Sequence, residues 1–337
     1  MRKLNVTKCF FITFLIFLVQ DSFTQSITFQ KVFGSEQREE IGLSVVQTID
    51  NGYMAIGGGY RCLRTDQYGD SLWTGRVPSS GNCIKKTDDN NFILTSVQFP
   101  LVKFDLNGNV IWTRNSFNDN AITEYISETE DKGFILSGGV INGTSLYAYI
   151  LKTDSFGHLE WQKTFNNYFY MPAIKIVQTT DHGYLFTGND SSSYAIKIDS
   201  AGNIIWYKSY KTFLQYASSV LKIKNGFMIC GLDKLLRIDE NGNVLWYKSY
   251  SLGIDKPTYL NSIMQDIDGG FVMTGKRDTT LENSIPLVLL LKTDSAGNES
   301  WNRLFGQNID YNEGKDVRQT SDSGYIISGV TYTKNLV

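Results

Sequence analysis

Six copies of Asp-x-x-Gly recur in one common frame along this 337-residue chain, at Asp66, Asp105, Asp154, Asp199, Asp239 and Asp294. An acid followed by polar residues and Gly is how a calcium loop begins, and DENGN (239–243) comes nearest to one. A loop of the EF-hand type continues with further acids and a distal Glu, and none follows here. The other chemistry open to these residues is local. An Asp side chain caps a turn by accepting backbone N–H bonds, and Gly supplies the positive φ. Turn capping is the expectation, with no metal. Two residues ahead of each Asp stands a cation: Arg64, Lys103, Lys152, Lys197, Arg237 and Lys292. Such a column has the makings of an anion ring, but charges tied to a repeat usually serve the repeat, and pairing with the neighbouring unit is expected.

Other candidates are weaker. GFVMTGKR (270–277) misses the phosphate loop G-x-x-x-x-G-K-[ST] by one residue, because Arg277 stands where a hydroxyl must reach magnesium. The same Gly-to-Gly frame recurs at 183–188 without the Lys, so both read as strand. His158 and His182 are the only histidines. Two His without a third ligand do not make a zinc site, and no nucleophile elbow accompanies them. No catalytic residue is assigned and no cofactor is expected.

The elements that must position these residues come from a repeat. Each Asp-x-x-Gly ends four residues later on one of the six Trp of the chain, Trp73, Trp112, Trp161, Trp206, Trp246 and Trp301. Asp-x-x-Gly between two apolar runs is hairpin chemistry. A second phrase recurs seven times, as DNGYMAIG (50–57), DNNFILTS (89–96), DKGFILSG (131–138), DHGYLFTG (181–188), KNGFMICG (224–231), DGGFVMTG (268–275) and DSGYIISG (322–329). Its strand is apolar on both faces, so both must be covered. Ahead of each copy lies a third strand with Val or Ile second (Val45, Ile84, Ile126, Ile176, Val220, Ile263, Val317) and a long polar residue fourth (from Gln47 to Gln319). One unit therefore holds four short strands, A to D, at a period of about 45 residues, the mark of an all-β propeller.

Seven second strands with six Trp phrases leave one strand D missing. ITFQKVFG (27–34) matches WNRLFG (301–306) with Phe29 in the Trp place, so the expectation is a single seven-bladed domain over 25–337, closed by 27–34 on the last blade. The blades fall at about 41–77, 81–117, 121–167, 172–211, 216–250, 258–306 and 312–337 plus 27–34. VTYTKNLV (330–337) is expected to serve as a minimal strand C.

MRKLNVTK followed by the apolar run CFFITFLIFLV (9–19) reads as a signal peptide, residues 1–24, too short to span a membrane. The remainder carries 29 basic against 33 acidic residues, a mildly acidic balance that argues against nucleic acid or an anionic membrane as partner. Cys62, Cys83 and Cys230 remain, with no CxxC spacing. Cys62 and Cys83 are free to pair, and Cys230 sits in an apolar run as a core residue.

The joined phrases K-[TI]-D-x-x-G-N-x-x-W and Q-T-x-D-x-G-[YF]-x-x-x-G resemble the propeller repeats of secreted Bacteroidetes-type surface proteins over residues 27–337. Many of these carry a type IX secretion sorting domain, which does not occur before Val337. The phrases are similar, at greater distance, to Trp-docked quinoprotein (PQQ) blades, but the adjacent Cys pair of those enzymes is missing and their activity does not carry over. The turn also resembles the Asp box of sialidase propellers, with spacings one residue off on each side.

The A–B and C–D turns are short and nearly constant, and by alternation they share one face. The other face carries the variable D–A and B–C loops, where propellers place recognition. These loops are rich in rings, with Tyr168, Tyr170, Phe213, Tyr216, Tyr259 and Tyr311 as candidate binding residues. Aromatics beside Asn, Asp and Lys suit glycan stacking or protein contact. The expectation is a secreted or cell-surface (or periplasmic) non-catalytic binding or scaffold module for a glycan or surface protein, with no membrane insertion after cleavage. The rivals are a polysaccharide hydrolase or lyase using Glu128 and a second carboxylate, and a structural spacer of a longer surface protein.

Overall fold

The strand pattern expected from the repeat is realised in a computed structural model, which describes residues 16–19, 27–33, 41–58, 61–75, 77, 81–96, 101–115, 117–118, 120–165, 173–190, 192–251, 257–278, 285–306 and 310–333. The chain is an all-β propeller with four-stranded antiparallel blades. Six sheets are each built from four consecutive strands, within 42–74, 83–114, 121–165, 173–209, 217–249 and 258–305. The A strands pack side by side around a central channel. The last of them, Asp310–Gln319, lies against the first, Gly42–Gln47, so the ring of A strands closes.

Both hairpin turns of a blade use one backbone device. In the A–B turn of blade one the Asn51 N–H donates to the Thr48 carbonyl and the Thr48 N–H to the Gly52 carbonyl. In the C–D turn the Gly69 N–H donates to Asp66 and the Asp66 N–H to Asp70. Each is a type I turn closed by a residue at positive φ, the usual three-residue hairpin. Six A–B turns fill that position with Asn51, Asn90, Lys132, His182, Gly269 and Ser323, and the A–B turn of blade five is one residue shorter, with Ile223 opposite Gly226, whereas the C–D turns use Gly in all six.

The difference comes from the next-door blade. A Cβ on Gly157 would lie 2.8 Å from the Trp112 ring, one on Gly242 2.9 Å from Trp206, and one on Gly297 2.6 Å from Trp246. Trp112, Trp161, Trp206 and Trp246 therefore each reach across the wedge and seat themselves on the C–D glycine of the following blade. Two of them also meet that blade's B-strand aromatic, with Trp112 and Phe134 centroids 6.1 Å apart and Trp161 and Tyr184 6.0 Å apart. Phe29 takes the same seat before blade one, 5.8 Å from Tyr53 and under Gly69. B strands such as Tyr53–Gly57 and Tyr184–Asn189 are buried at every position, because each blade is covered on both faces.

The A strands add a polar link. The Val or Ile anchors are buried, with Ile126 and Ile176 at 0% exposure. In four blades the long polar residue two places on accepts a turn N–H from the preceding blade: Glu128 from Asp88 (3.1 Å), Gln178 from Glu130 (2.9 Å), Gln319 from Ile267 (3.2 Å) and Gln47 from Ser321 (2.8 Å). The last of these joins the two ends of the ring.

Three details depart from the sequence reading. The remaining sheet is composite, in the order Ile27–Lys31, Ile16–Val19, Tyr325–Thr333, Asp310–Gln319. Strand 27–31 thus does not pair directly with the last B strand. Residues 16–19 stand between them, with Leu18 opposite Ile326 and Ile16 opposite Lys31. Residues 330–333 extend strand B rather than forming strand C, and 334–337 lie outside the described residues. An open B-strand edge needs a partner for its N–H and C=O groups, and the β-prone stretch 16–19 supplies one. This stretch belongs to the segment expected to be cleaved, so a chain cut after Thr24 would lack that third strand. Second, Cys62, Cys83 and Cys230 are all free and buried. Cys62 and Cys83 belong to separate apolar clusters, so the possible pairing does not form. Third, the basic column pairs within its own blade at five of its six positions, not with the neighbouring one.

Candidate binding site at the channel mouth

Each A strand opens with an irregularity. The pairing with strand B skips one residue at Leu43, Glu124, Ile174, Ser218, Asn261 and Lys315. Asn82 holds the equivalent place just before strand Cys83–Lys86. A bulge frees a side chain from the ladder and re-aims it. These seven residues, one per A strand, line a cavity of about 520 Å³ at the end of the channel that carries the D–A and B–C loops. Asn189, Tyr216, Leu232 and Tyr259 complete the wall.

Several of the polar side chains are tied down. The Asn82 amide donates to the Thr123 carbonyl at 2.8 Å, and that of Asn261 to Glu313 Oε1 at 2.7 Å and the Gly314 carbonyl at 2.8 Å. Ser218 donates to the Cys230 carbonyl at 3.0 Å, and Asn189 to that of Ala217 at 3.0 Å. Burial raises the Glu124 carboxyl above the ordinary range. Lys315 pairs with Glu313 at 2.8 Å. The result is a pre-formed bowl with apolar stretches (Leu43, Ile174, Leu232), amides, one carboxyl and two tyrosines, the mix expected of a small-molecule site.

The six aromatic candidates separate. Tyr168 and Tyr170 lie outside the described residues. Phe213 is partly buried, packed 5.6 Å from Tyr247 and against the Leu214–Phe227 cluster, so its ring serves the blade edge. Tyr216 is 64% exposed, stands at φ 52°, and lines the mouth. Tyr259 also lines it, with the Lys276 ammonium 4.7 Å from its ring centroid. Tyr311 stacks on Tyr332 at 4.4 Å, donates to Glu313 at 2.7 Å and accepts from Lys276 at 2.8 Å. Lys276 thereby ties Tyr259 to Tyr311. Tyr216 and Tyr259 are brought together at one cavity, with Tyr311 behind them. The bulge ring leaves one signal in the sequence: this position varies from Leu to Asn, Glu, Ile, Ser and Lys within an otherwise constant strand.

The opposite face accounts for most of the charged candidates. Each turn Asp caps its own loop. Asp199 accepts the Ala201 and Asn203 N–H groups at 3.0 and 2.8 Å, and Asp294 those of Ala296 and Asn298 at 2.9 and 2.8 Å. Asp66, Asp105, Asp154 and Asp239 repeat the pattern. Five of the six basic residues pair with the A–B turn acid of the same blade: Arg64 with Asp50, Lys103 with Asp89 (2.7 Å), Lys152 with Asp131 (2.9 Å), Lys197 with Asp181 (2.5 Å) and Lys292 with Asp268 (2.9 Å); for the sixth, Arg237, the turn carries Lys224 in place of the acid. His158 and His182 are exposed and lie 3.0 Å from Asp154 and Glu130. Among the described residues no cluster of three or more His, Cys, Asp or Glu suits a metal.

Glu128 does share a cavity of about 570 Å³ with Asp88 and Asp89, the convergence an enzyme would need. Burial raises the Glu128 carboxyl. Each of these acids nevertheless serves the scaffold. Asp89 holds Lys103, Asp88 holds Lys132, and Glu128 accepts the Asp88 N–H as Gln does in other blades. Arg277, the residue that spoiled the phosphate-loop match, is buried in strand Phe271–Asp278 and donates to Thr258 at 3.0 Å and the Tyr250 carbonyl at 3.2 Å. Among the described residues no helix is long and apolar enough to cross a membrane.

No family model matches the sequence. No curated protein matches it either. Solved structures do. The chain is similar to a protein of unknown function from Bacteroides caccae (12% identity, TM-score 0.55, 75% of this chain and 94% of that one). It is also similar to a virginiamycin B lyase from Staphylococcus aureus (11% identity, TM-score 0.62, 90% and 98%). A third is the extracellular domain of a protein described as a hybrid two-component system from B. thetaiotaomicron (10% identity, TM-score 0.60, 88% of this chain and 39% of that one). At this identity the likeness is one of fold.

Proposed function

We propose that this propeller is a secreted or cell-surface binding module, without catalysis, that takes a glycan at the mouth of its central channel. The observation that carries this reading is the bowl of about 520 Å³ that six bulge residues and Asn82 line together with Tyr216 and Tyr259. Tyrosine rings stack on the C–H faces of sugars while amides and hydroxyls bind their OH groups. The carboxyls at the other face serve the repeat, which supports binding over hydrolysis. We read the propeller as seven-bladed, with the N-terminal strand completing the last blade. The Phe29 seat on Tyr53 and the Lys31–Asp70 pair at 2.8 Å support that closure. An apolar leader and the likeness to a B. thetaiotaomicron extracellular domain support the location, and the repeat phrases support kinship with Bacteroidetes-type secreted propellers.

The test is a glycan array followed by calorimetry on its best ligand with Tyr216→Ala and Tyr259→Ala. Loss of one stacking tyrosine should weaken binding by at least tenfold, as for an interface hot spot. Unchanged affinity in both variants would move the site elsewhere, and capture of a protein with no glycan bound would replace the ligand class.

A further inference from the structure

Below the mouth the channel holds more positive charge than its acids balance. Lys85, Lys175 and Arg318 all act on Asp316. Asp316 is fully engaged: its carboxylate lies 3.1 Å from Arg318 and accepts from Ser44 (3.1 Å), Ser262 (2.9 Å) and the Val45 N–H (3.3 Å). Lys175 is 8% exposed and donates to the Ser219 hydroxyl at 2.6 Å. Its ammonium lies 5.1 Å from the Tyr125 ring centroid, and that of Lys85 lies 4.6 Å from the same ring. Among the described residues no carboxylate comes within 4.0 Å of either ammonium. Burying a cation without a counter-charge costs several kcal/mol. One relief is loss of the proton, and burial does lower Lys175 below the ordinary lysine range. The other is an anion. A cavity of about 100 Å³ opens beneath the bowl, with Glu124, Tyr125, Lys175, Ser262, Asp316 and Arg318 in its wall, and Lys85 reaches the Tyr125 ring from outside that wall. A water takes about 30 Å³, so there is room for a carboxylate or sulfate group in place of roughly three waters.

We propose that this lower chamber binds an oxyanion at Lys175 and Tyr125, with the Lys85 charge beside the same ring adding to the attraction, and that the ligand at the mouth is an acidic sugar whose carboxylate or sulfate enters it. The second half rests on the channel-mouth reading; the first does not. Two ammonium groups beside one ring place two positive charges at the Tyr125 wall of the chamber, and an ammonium donating to an oxyanion makes a charge-assisted bond. Charge-assisted bonds of this kind are the stronger class.

The test is calorimetric titration of the full protein with sodium sulfate, D-glucuronate and D-glucose at ionic strength fixed with sodium chloride. Sulfate and glucuronate should bind saturably and glucose at least tenfold more weakly. Lys85→Met with Lys175→Met should weaken both anions at least tenfold, while Tyr216→Ala with Tyr259→Ala should weaken glucuronate and leave sulfate unchanged. Absence of saturable heat with either anion in the unaltered protein overturns the chamber, whatever the variants do. So does retention of both affinities within twofold in a folded double-Met protein. Tight binding of neutral oligosaccharides that ignores the Met changes would remove the chamber and keep the mouth. Sulfate binding with no saccharide affinity would keep the chamber as a site for a free oxyanion and remove the mouth.

Discussion

Changing Gly157 to Ala separates two reasons for a glycine that are usually confounded. Gly157 stands at φ 79° and Gly269 at φ 83°, so an Ala at either accepts a left-handed backbone costing about 1–2 kcal/mol. A Cβ at Gly269 has nothing within 4 Å, and other A–B turns place Lys132, His182 or Ser323 there. A Cβ at Gly157 would stand 2.8 Å from two atoms of the Trp112 ring and 3.0 Å from Arg114 Cγ. The ring must shift out of its seat, and overpacking of this kind costs about 1–3 kcal/mol more. Gly269→Ala should therefore lose about 1–2 kcal/mol and Gly157→Ala about 2–5 kcal/mol. Urea unfolding followed by tryptophan fluorescence and by circular dichroism measures both, with coincident transitions required before free energies are compared. Trp112→Ala in the Gly157→Ala background should erase most of the excess, since the clash partner is gone. Equal losses for the two single substitutions would show that Trp docking is not what keeps these turns glycine.

Other consequences are as direct. Phe29→Ala should destabilise by about 3 kcal/mol, the cost of a large ring lost from a core, because this ring closes the last wedge against Tyr53. A loss under about 0.5 kcal/mol in urea titration, the size of an ordinary surface change, would mean the N-terminal strand contributes nothing to the closure. Acid should destabilise the fold. Asn203 and Asn298 hold Asp199 and Asp294 below the ordinary carboxylate range, and Asp181 is pulled down to about 2 by Lys197 and Thr179 against the opposing effect of burial. A depressed carboxyl contributes its full stability above its unfolded pKa of about 4 and loses it as the pH falls toward the folded value. Urea midpoints should thus be level from pH 7 to 5 and fall between pH 4 and 2; a midpoint that holds or rises there would contradict the turn hydrogen bonds. The three thiols, Cys62, Cys83 and Cys230, are buried, and burial raises Cys230 to about 11. A thiol reagent at pH 8 should label them only after denaturant is added, and a mass two hydrogens short in the native protein would show a disulfide instead.

The repeat was legible because its chemistry is local. Asp-x-x-Gly, the Trp and the doubly apolar B strand each state a backbone shape or a buried face, and those statements agree from unit to unit. What escaped was set by register and by the swing of side chains in space. The basic column was expected to cross to a neighbouring blade, but the A–B turn brings the acid of the same blade back alongside strand C, as Lys152 and Asp131 show at 2.9 Å. Phe213 has the composition of a recognition residue and the position of a packing one. The place of residues 16–19 in the last sheet follows from an unfilled strand edge, which no property of that apolar run announces. Most telling is the mouth. Glu124, Asn261 and Lys315 look like ordinary strand residues until the bulges re-aim them together, and only the contrast between a variable position and a constant strand hints at it.

The claim that the channel mouth is the binding site is tested most directly by a crystal structure of the protein with the best array ligand, read for where the sugar sits. Density is expected in the bowl between Tyr216 and Tyr259, within hydrogen-bonding reach of Asn82, Glu124 or Asn261. Density at the turn-bearing face beside Glu128 and Trp112, with an empty bowl, would contradict it.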